Sequence, residues 1–175
     1  MEMESAQENL ARYLEIETIL NRFFGIFDFC LKGCVLPELE RNGNQPFAAC
    51  CKDKYYKVYD LDHPSFDLLR EERERLYGKP GDVKDSSLVS PCEYHTNTGC
   101  VLPTCKSPIC LAFMCRKSID ALREGYGIYT YDYLGFNYAL EWILTGDMSL
   151  ADYTEFRQSC LDMIDTLEAQ TGKAH

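Results

Sequence analysis

Apolar residues near the start of the chain recur at three- and four-residue steps: Leu10, Tyr13, Leu14, Leu20, Phe23, Phe24 and Phe27. That spacing puts them mostly on one face of a helix and predicts one over residues 5–29. Ser5 with Glu8 has the form of a capping box before it, and Cys30 falls at its end. Residues 36–45 hold Pro37, Gly43 and several polar groups and read as a loop. Tyr55-Tyr56-Lys57-Val58-Tyr59 fits a short strand or an irregular stretch. Ser65 then caps a charged helix over 66–77, closed by Gly78. Its run from Arg70 to Arg75 reads as a solvated face with ion pairs at helical spacing.

Residues 78–98 carry Pro80, Gly81, Asp82, Ser86, Ser87, Ser90 and Pro91 and form a long loop, a kind of segment that is often functional. Ser107-Pro108 is an N-cap with proline at the first helical position, opening a helix to about residue 123. A very apolar helix follows over 131–145. The last begins at Ser149, with Leu150, Tyr153, Phe156, Cys160, Met163, Ile164 and Leu167 as its apolar stripe. The expected fold is mainly α: a small bundle of four to five helices around one core, with cysteine-rich loops packed at one end. We expect a single domain over 1–175, with a cysteine-rich part at 30–115 and a helical part at 116–175.

Composition narrows the function classes. Apolar residues are 46% of 175, so a core can form without help from metal. The net charge of −10 argues against a nucleic-acid phosphate binder and against docking on anionic membranes. The start, Met1-Glu2-Met3-Glu4-Ser5, lacks the positive residues and apolar core of a secretory signal, and no segment has the length of a membrane span. The chain therefore reads as cytoplasmic. Thiols stay reduced there, which favours metal or redox chemistry over a disulfide framework.

Ten cysteines then become the main chemical signal. Gly-Cys-Val-Leu-Pro occurs twice, at residues 33–37 and 99–103, and each copy falls within a cysteine cluster. The first cluster is Cys30, Cys34, Cys50 and Cys51. The second is Cys92, Cys100, Cys105, Cys110 and Cys115. A repeated turn presenting a cysteine suggests two halves of one metal site, or two related sites, with glycine and proline shaping each turn. Lys32, Lys52, Lys54, Lys106, Arg116 and Lys117 stand beside these cysteines, a placement that compensates thiolate charge. The chain has no C-x2-C hook of the zinc-ribbon kind. It has C-x3-C at Cys30/Cys34, a vicinal pair, and three successive C-x4-C steps from Cys100 to Cys115. Wider spacing suits a bulky cluster, so iron–sulfur, as [4Fe–4S], is favoured over zinc.

Cys110 falls in the first turn of an expected helix, where backbone N–H groups can face a negative sulfur. Phe47, Tyr55, Tyr56, Tyr94 and Phe113 are either a water-excluding shell or ordinary core. His95 is a candidate further ligand, whereas His63 and His175 are not compelling. Cys160 fits the apolar stripe of the last helix as a small hydrophobe. No dinucleotide fingerprint and no Gly-x-Ser-x-Gly elbow is present.

The stretch Gly99-Cys100-Val101-Leu102, with Ser107-Pro108-Ile109-Cys110-Leu111-Ala112-Phe113-Met114-Cys115, resembles the closing motif of the CxxCxxCC (YkgJ-type) family of zinc- or iron-chelating cysteine-rich proteins. The matching positions are Cys30, Cys34, Cys50, Cys51, Cys92, Cys100, Cys110 and Cys115. Here Cys34 and Cys50 are separated by fifteen residues, and Cys105 is additional. The resemblance implies a metal-chelating protein. Because some flagellin lysine N-methylases are similar to this group, it leaves an enzyme open.

The first expectation is a cytoplasmic iron–sulfur protein that carries electrons or assists another metalloenzyme, and so has a protein partner. The alternative is a zinc-stabilised interaction module without redox chemistry. A third reading is a small cluster-dependent enzyme with substrate held near residues 78–98.

Overall fold

The apolar face of the first helix organises the molecule. In a computed structural model, which describes residues 2–41, 43, 61–79, 94–96, 99–100 and 102–172, helix α1 covers Glu2–Ile26. Tyr13, Ile16, Leu20 and Phe23 lie along it at three- and four-residue steps and are fully buried. The remaining elements are a π-turn over Leu31–Val35, α2 (Leu36–Arg41), α3 (Pro64–Tyr77), strands β1 (His95–Thr96) and β2 (Gly99–Cys100), α4 (Pro108–Ala112), α5 (Arg116–Tyr126), α6 (Tyr133–Thr145) and α7 (Leu150–Thr171). The two strands form an antiparallel ladder with His95 opposite Cys100. The fold is mainly α. Helix α1 packs against α3, α6 and α7, α4 lies on α6, and α5 touches α7. No described helix is long and apolar enough to cross a membrane.

Aromatic rings fill the centre of this core. Tyr131 stacks on Phe23 (5.7 Å between centroids) and on Phe136 (4.4 Å), and Phe136 meets Phe156 edge-on at 5.1 Å. The buried Tyr131 hydroxyl donates to Ala112 O at 2.7 Å, which ties the loop before α6 to the end of α4. Tyr131→Phe keeps the ring and orphans that carbonyl. It should cost about 1–3 kcal/mol in chemical denaturation with an unchanged m-value.

Several boundaries differ from the sequence expectations, each for a local reason. Helix α1 begins at Glu2, so Ser5 lies inside the helix instead of capping it, and Glu8 pairs with Arg12 at 2.6 Å. The helix ends at Ile26, not residue 29. Residues 36–41 are helical, where a loop was expected. The π-turn feeds directly into them, and Pro37 sits in the first turn of α2, where its missing N–H costs little. The cap of α3 is His63, whose Nδ1 accepts the Ser65 N–H at 3.2 Å; Pro64 follows it and Ser65 is buried.

The helix expected over 108–123 is two helices. The chain turns extended at Phe113 and Cys115 and restarts with Cys115 as the N-cap of α5. That break, together with α2, makes seven α-helices among the described residues in place of four to five. At the C-terminal end the sequence pattern matches the structure closely. Ser149 caps α7 as expected, and α6 starts at Tyr133, two residues later than expected, because Asp132 caps it. Gly146 ends α6 with φ +79, and an added Cβ there would lie 2.8 Å from Asn9 Nδ2 on α1.

Candidate functional site

Both copies of Gly-Cys-Val-Leu-Pro were expected to form the same turn, and the structure gives them different backbones. In the first, Gly33 and Cys34 lie in the π-turn, where the Leu36 N–H reaches back to Leu31 O. The wider ring accommodates Pro37, which has no N–H for Gly33 O and a ring that would crowd that carbonyl in a regular helix. In the second, Gly99 and Cys100 are extended in β2, and the left-handed residue comes later, at Cys105 with φ 59. The repeat is therefore one of sequence, not of local conformation.

A non-glycine residue held at positive φ needs its surroundings to fix it. Cys105 N–H donates to Glu17 Oε2 at 2.8 Å, and Lys106 N–H to Glu17 Oε1 at 2.9 Å. Arg73 Nε donates to Cys105 O at 2.6 Å, and the Tyr13 hydroxyl donates to Lys106 O at 2.6 Å. Asn21 Nδ2 donates to Pro103 O at 2.9 Å, and Tyr77 meets Thr104 hydroxyl to hydroxyl at 2.6 Å. The 103–106 loop is thus held by side chains of α1 and α3. Glu17 and Arg73 are 1% and 2% exposed. Arg73 belongs to the charged run expected on the solvated face, and its burial corrects that expectation. Burial raises the Glu17 carboxyl above the usual carboxylate range, against the two N–H groups and the nearby Lys106 and Arg73 charges.

The second neighbourhood joins the two cysteine groups. The buried Ser118 hydroxyl lies 2.8 Å from Cys30 Sγ and 3.5 Å from Cys115 Sγ, though Cys30 and Ser118 are 88 positions apart. Ser118 is in the first turn of α5, three residues beyond its Cys115 cap. Burial alone would raise the Cys115 thiol. The Ser118 hydroxyl, the backbone N–H groups of Ser118 and Lys117 and the Lys117 charge outweigh it and bring the thiol below the ordinary cysteine value. Cys30 is shifted the other way. Burial pushes it up, Ser118 opposes this, and charge on Cys115 or Cys34 adds to the rise. Cys115 is thus the readier thiolate of the pair. Ser118→Ala should raise its pKa, slowing alkylation by iodoacetamide near neutral pH. An unshifted pH–rate profile at Cys115 would count against this account.

The other expected ligands are placed as follows. Cys34 is half-buried in the π-turn, and Cys110 is half-buried in α4. That helix has only five residues, because of the break at 113–115. Cys100 is exposed on β2, and its sulfur accepts the Leu102 N–H at 3.4 Å. Cys105 is buried, and burial raises its thiol. Cys160 is fully buried in the core on α7, as its apolar stripe predicts. Cys50, Cys51, Cys92 and the Tyr55–Tyr59 stretch fall outside the described residues, as does most of the 78–98 loop. Among the basic residues beside cysteines, Lys117 favours the Cys115 thiolate. Lys32 pairs with Asp28 at 2.5 Å, and Lys106 Nζ donates to Asn21 Oδ1 and Pro103 O, both at 2.9 Å.

Among the described cysteines, Cys30 and Cys115 thus meet at Ser118, Cys105 lies in the clamp around Glu17, and Cys160 lies in the core. No group of three or more His, Cys, Asp or Glu side chains among the described residues is close enough to hold a metal ion. No family model, curated protein or solved structure matches this chain.

Proposed function

We propose that this chain is a thiolate-ligated metal protein, in which a [4Fe–4S] cluster serves electron transfer or another metalloenzyme, with Cys30 and Cys115 among the ligands. The observation that carries this reading is their meeting on Ser118 Oγ. A member of each cysteine group is brought to one hydroxyl, and Cys115 sits where a thiolate is favoured. Cys34 lies near enough for its charge to act on Cys30. Cys30 and Cys115 would supply part of a four-thiolate set, with Cys50, Cys51 and Cys92, at positions that resemble those of CxxCxxCC chains, as candidates for the remainder. When bound, such a cluster supplies a one-electron carrier. The Ser118 hydroxyl brings the Cys30 and Cys115 sulfurs together, both half-buried, and charge is favoured on Cys115.

A second reading, a zinc-stabilised interaction module, is favoured by one different observation. Leu134, Tyr138 and Trp142 are about half exposed at four-residue steps on α6, and Tyr138 stacks on Trp142 at 6.4 Å. Anaerobic purification separates the two readings. A brown protein absorbing at about 400 nm with matched iron and sulfide supports the cluster. A colourless protein with stoichiometric zinc supports the module, and one free of metal rules out both.

A further inference from the structure

Beside Cys115 runs an open groove of about 590 Å³, lined by Phe113, Met114, Ile119 and Tyr133. Phe113 and Tyr133 meet edge-to-face, 5.6 Å between centroids with planes at 68°, and so present two aromatic surfaces to the cavity. Arg116, Asp120 and Arg123 also line it. They share one face of α5 with Ile119, at three- and four-residue spacing. Two guanidinium groups thus stand against one carboxylate.

Arg116 is almost fully exposed and its contact with Asp120 is a long 3.7 Å, while Arg123 has no ion pair among the described residues. Other grooves carry the opposite sign. The one between α1 and α3 has Glu71 and Glu72 against Arg75, which is already paired with Glu72 at 2.6 Å. The one under residues 127–130 has Glu155 and Asp162. Two guanidinium groups beside aromatic lining stand out on a chain of net charge −10.

We infer that this groove binds a small organic anion, a flat apolar body carrying one carboxylate or sulfonate. The acid group is held by Arg116 and Arg123, and the body lies across Phe113, Ile119 and Tyr133. Arginine suits the head because its planar fork offers paired donors to a carboxylate. The aromatic walls suit the body, since ligand sites are mostly apolar with a few charged groups that fix orientation. The inference does not depend on metal: apart from Cys115, the lining residues take no part in the thiol pair.

Naphthalene-2-carboxylate titrated into the full chain under reducing, anaerobic conditions tests this, followed by backbone amide shifts. Saturable one-site binding is expected, with the largest shifts at residues 113–123 and at Tyr133. Naphthalene-2-carboxamide should bind about tenfold more weakly or less, because it lacks the charge. The Arg116→Gln/Arg123→Gln double variant should lose a similar factor while its spectrum away from the groove stays unchanged. Equal affinity for acid and amide overturns the proposal, as does unchanged binding by the double variant. Shifts centred on Leu134, Tyr138 and Trp142, or no binding at all, overturn it too.

Discussion

Glu17→Ala should lower the stability of this protein by about 3–5 kcal/mol, the cost of breaking a buried charged network on one side. For a chain of this size that is on the order of 10 °C in Tm. Glu17 is the acceptor for two consecutive backbone N–H groups, those of Cys105 and Lys106. Its removal orphans both, leaves the buried Arg73 with less compensation, and frees the positive φ of Cys105 from one of its two restraints. Arg73→Ala removes the other restraint. Because the two act on one loop, the double variant should lose less than the sum of the singles.

The pH dependence has a definite sign. Burial raises the Glu17 carboxyl in the native state, so native protein keeps this proton over a window where the unfolded chain, titrating at about 4.3, has released it. The contribution of Glu17 is therefore greatest below the unfolded value and declines as pH rises through the native one. The stability advantage of wild type over Glu17→Gln should shrink across that rise. A gap that widens instead would contradict the assigned direction.

Metal removal should produce the second large effect, and a local one. Structural metal contributes on the order of 10–16 kcal/mol in small peptides, comparable with the whole stability of a domain. On the proposed assignment, a chelator releases the tie between Cys30 and Cys115. Amide exchange should then rise across the π-turn, α2 and the first turn of α5. Helices α1, α6 and α7 share an aromatic and aliphatic core that needs no thiol ligand, and they should keep their protection. Uniform exchange with and without chelator would show that no metal holds these segments, and collapse of α6 and α7 as well would show that the core is not independent.

How much of this was legible in the sequence varied with the kind of signal. Helix α7 was readable because its Ser149 cap and the Tyr153–Cys160–Leu167 stripe agree locally, and α6 was readable from its apolar run, although its Asp132 cap went unread. Arg73 was misread because its neighbours Arg70 to Arg75 look like a solvated run. Yet Phe66, Leu69 and Arg73 fall at i, i+3 and i+7, and that spacing places Arg73 on the buried face. Glu17 is a similar case, an acid between Ile16 and Leu20 on the apolar side of α1. A charge on a core stripe signals a distant partner without naming it, and the partner here is the backbone of the 103–106 loop.

The site was partly legible. Clustering singled out the cysteines as candidates, but nothing local joins Cys30 to Cys115. Ser118 had a weak signal, since Cys115-x-x-Ser118 has the spacing of a capping residue and its third helical position. The repeated pentapeptide misled because Pro37 and Pro103 sit in different backbones, one helical and one following a strand.

On the proposed assignment, Cys30 and Cys115 ligate one metal centre. Iron, zinc and acid-labile sulfide should be counted in wild type, Cys30→Ala, Cys115→Ala and Cys160→Ala, all purified without oxygen. We expect about four iron and four sulfide per wild-type chain, the same load in Cys160→Ala, whose sulfur is sealed in the core, and loss of most or all of it in the other two. Unchanged metal in both Cys30→Ala and Cys115→Ala, or none in wild type, would contradict it.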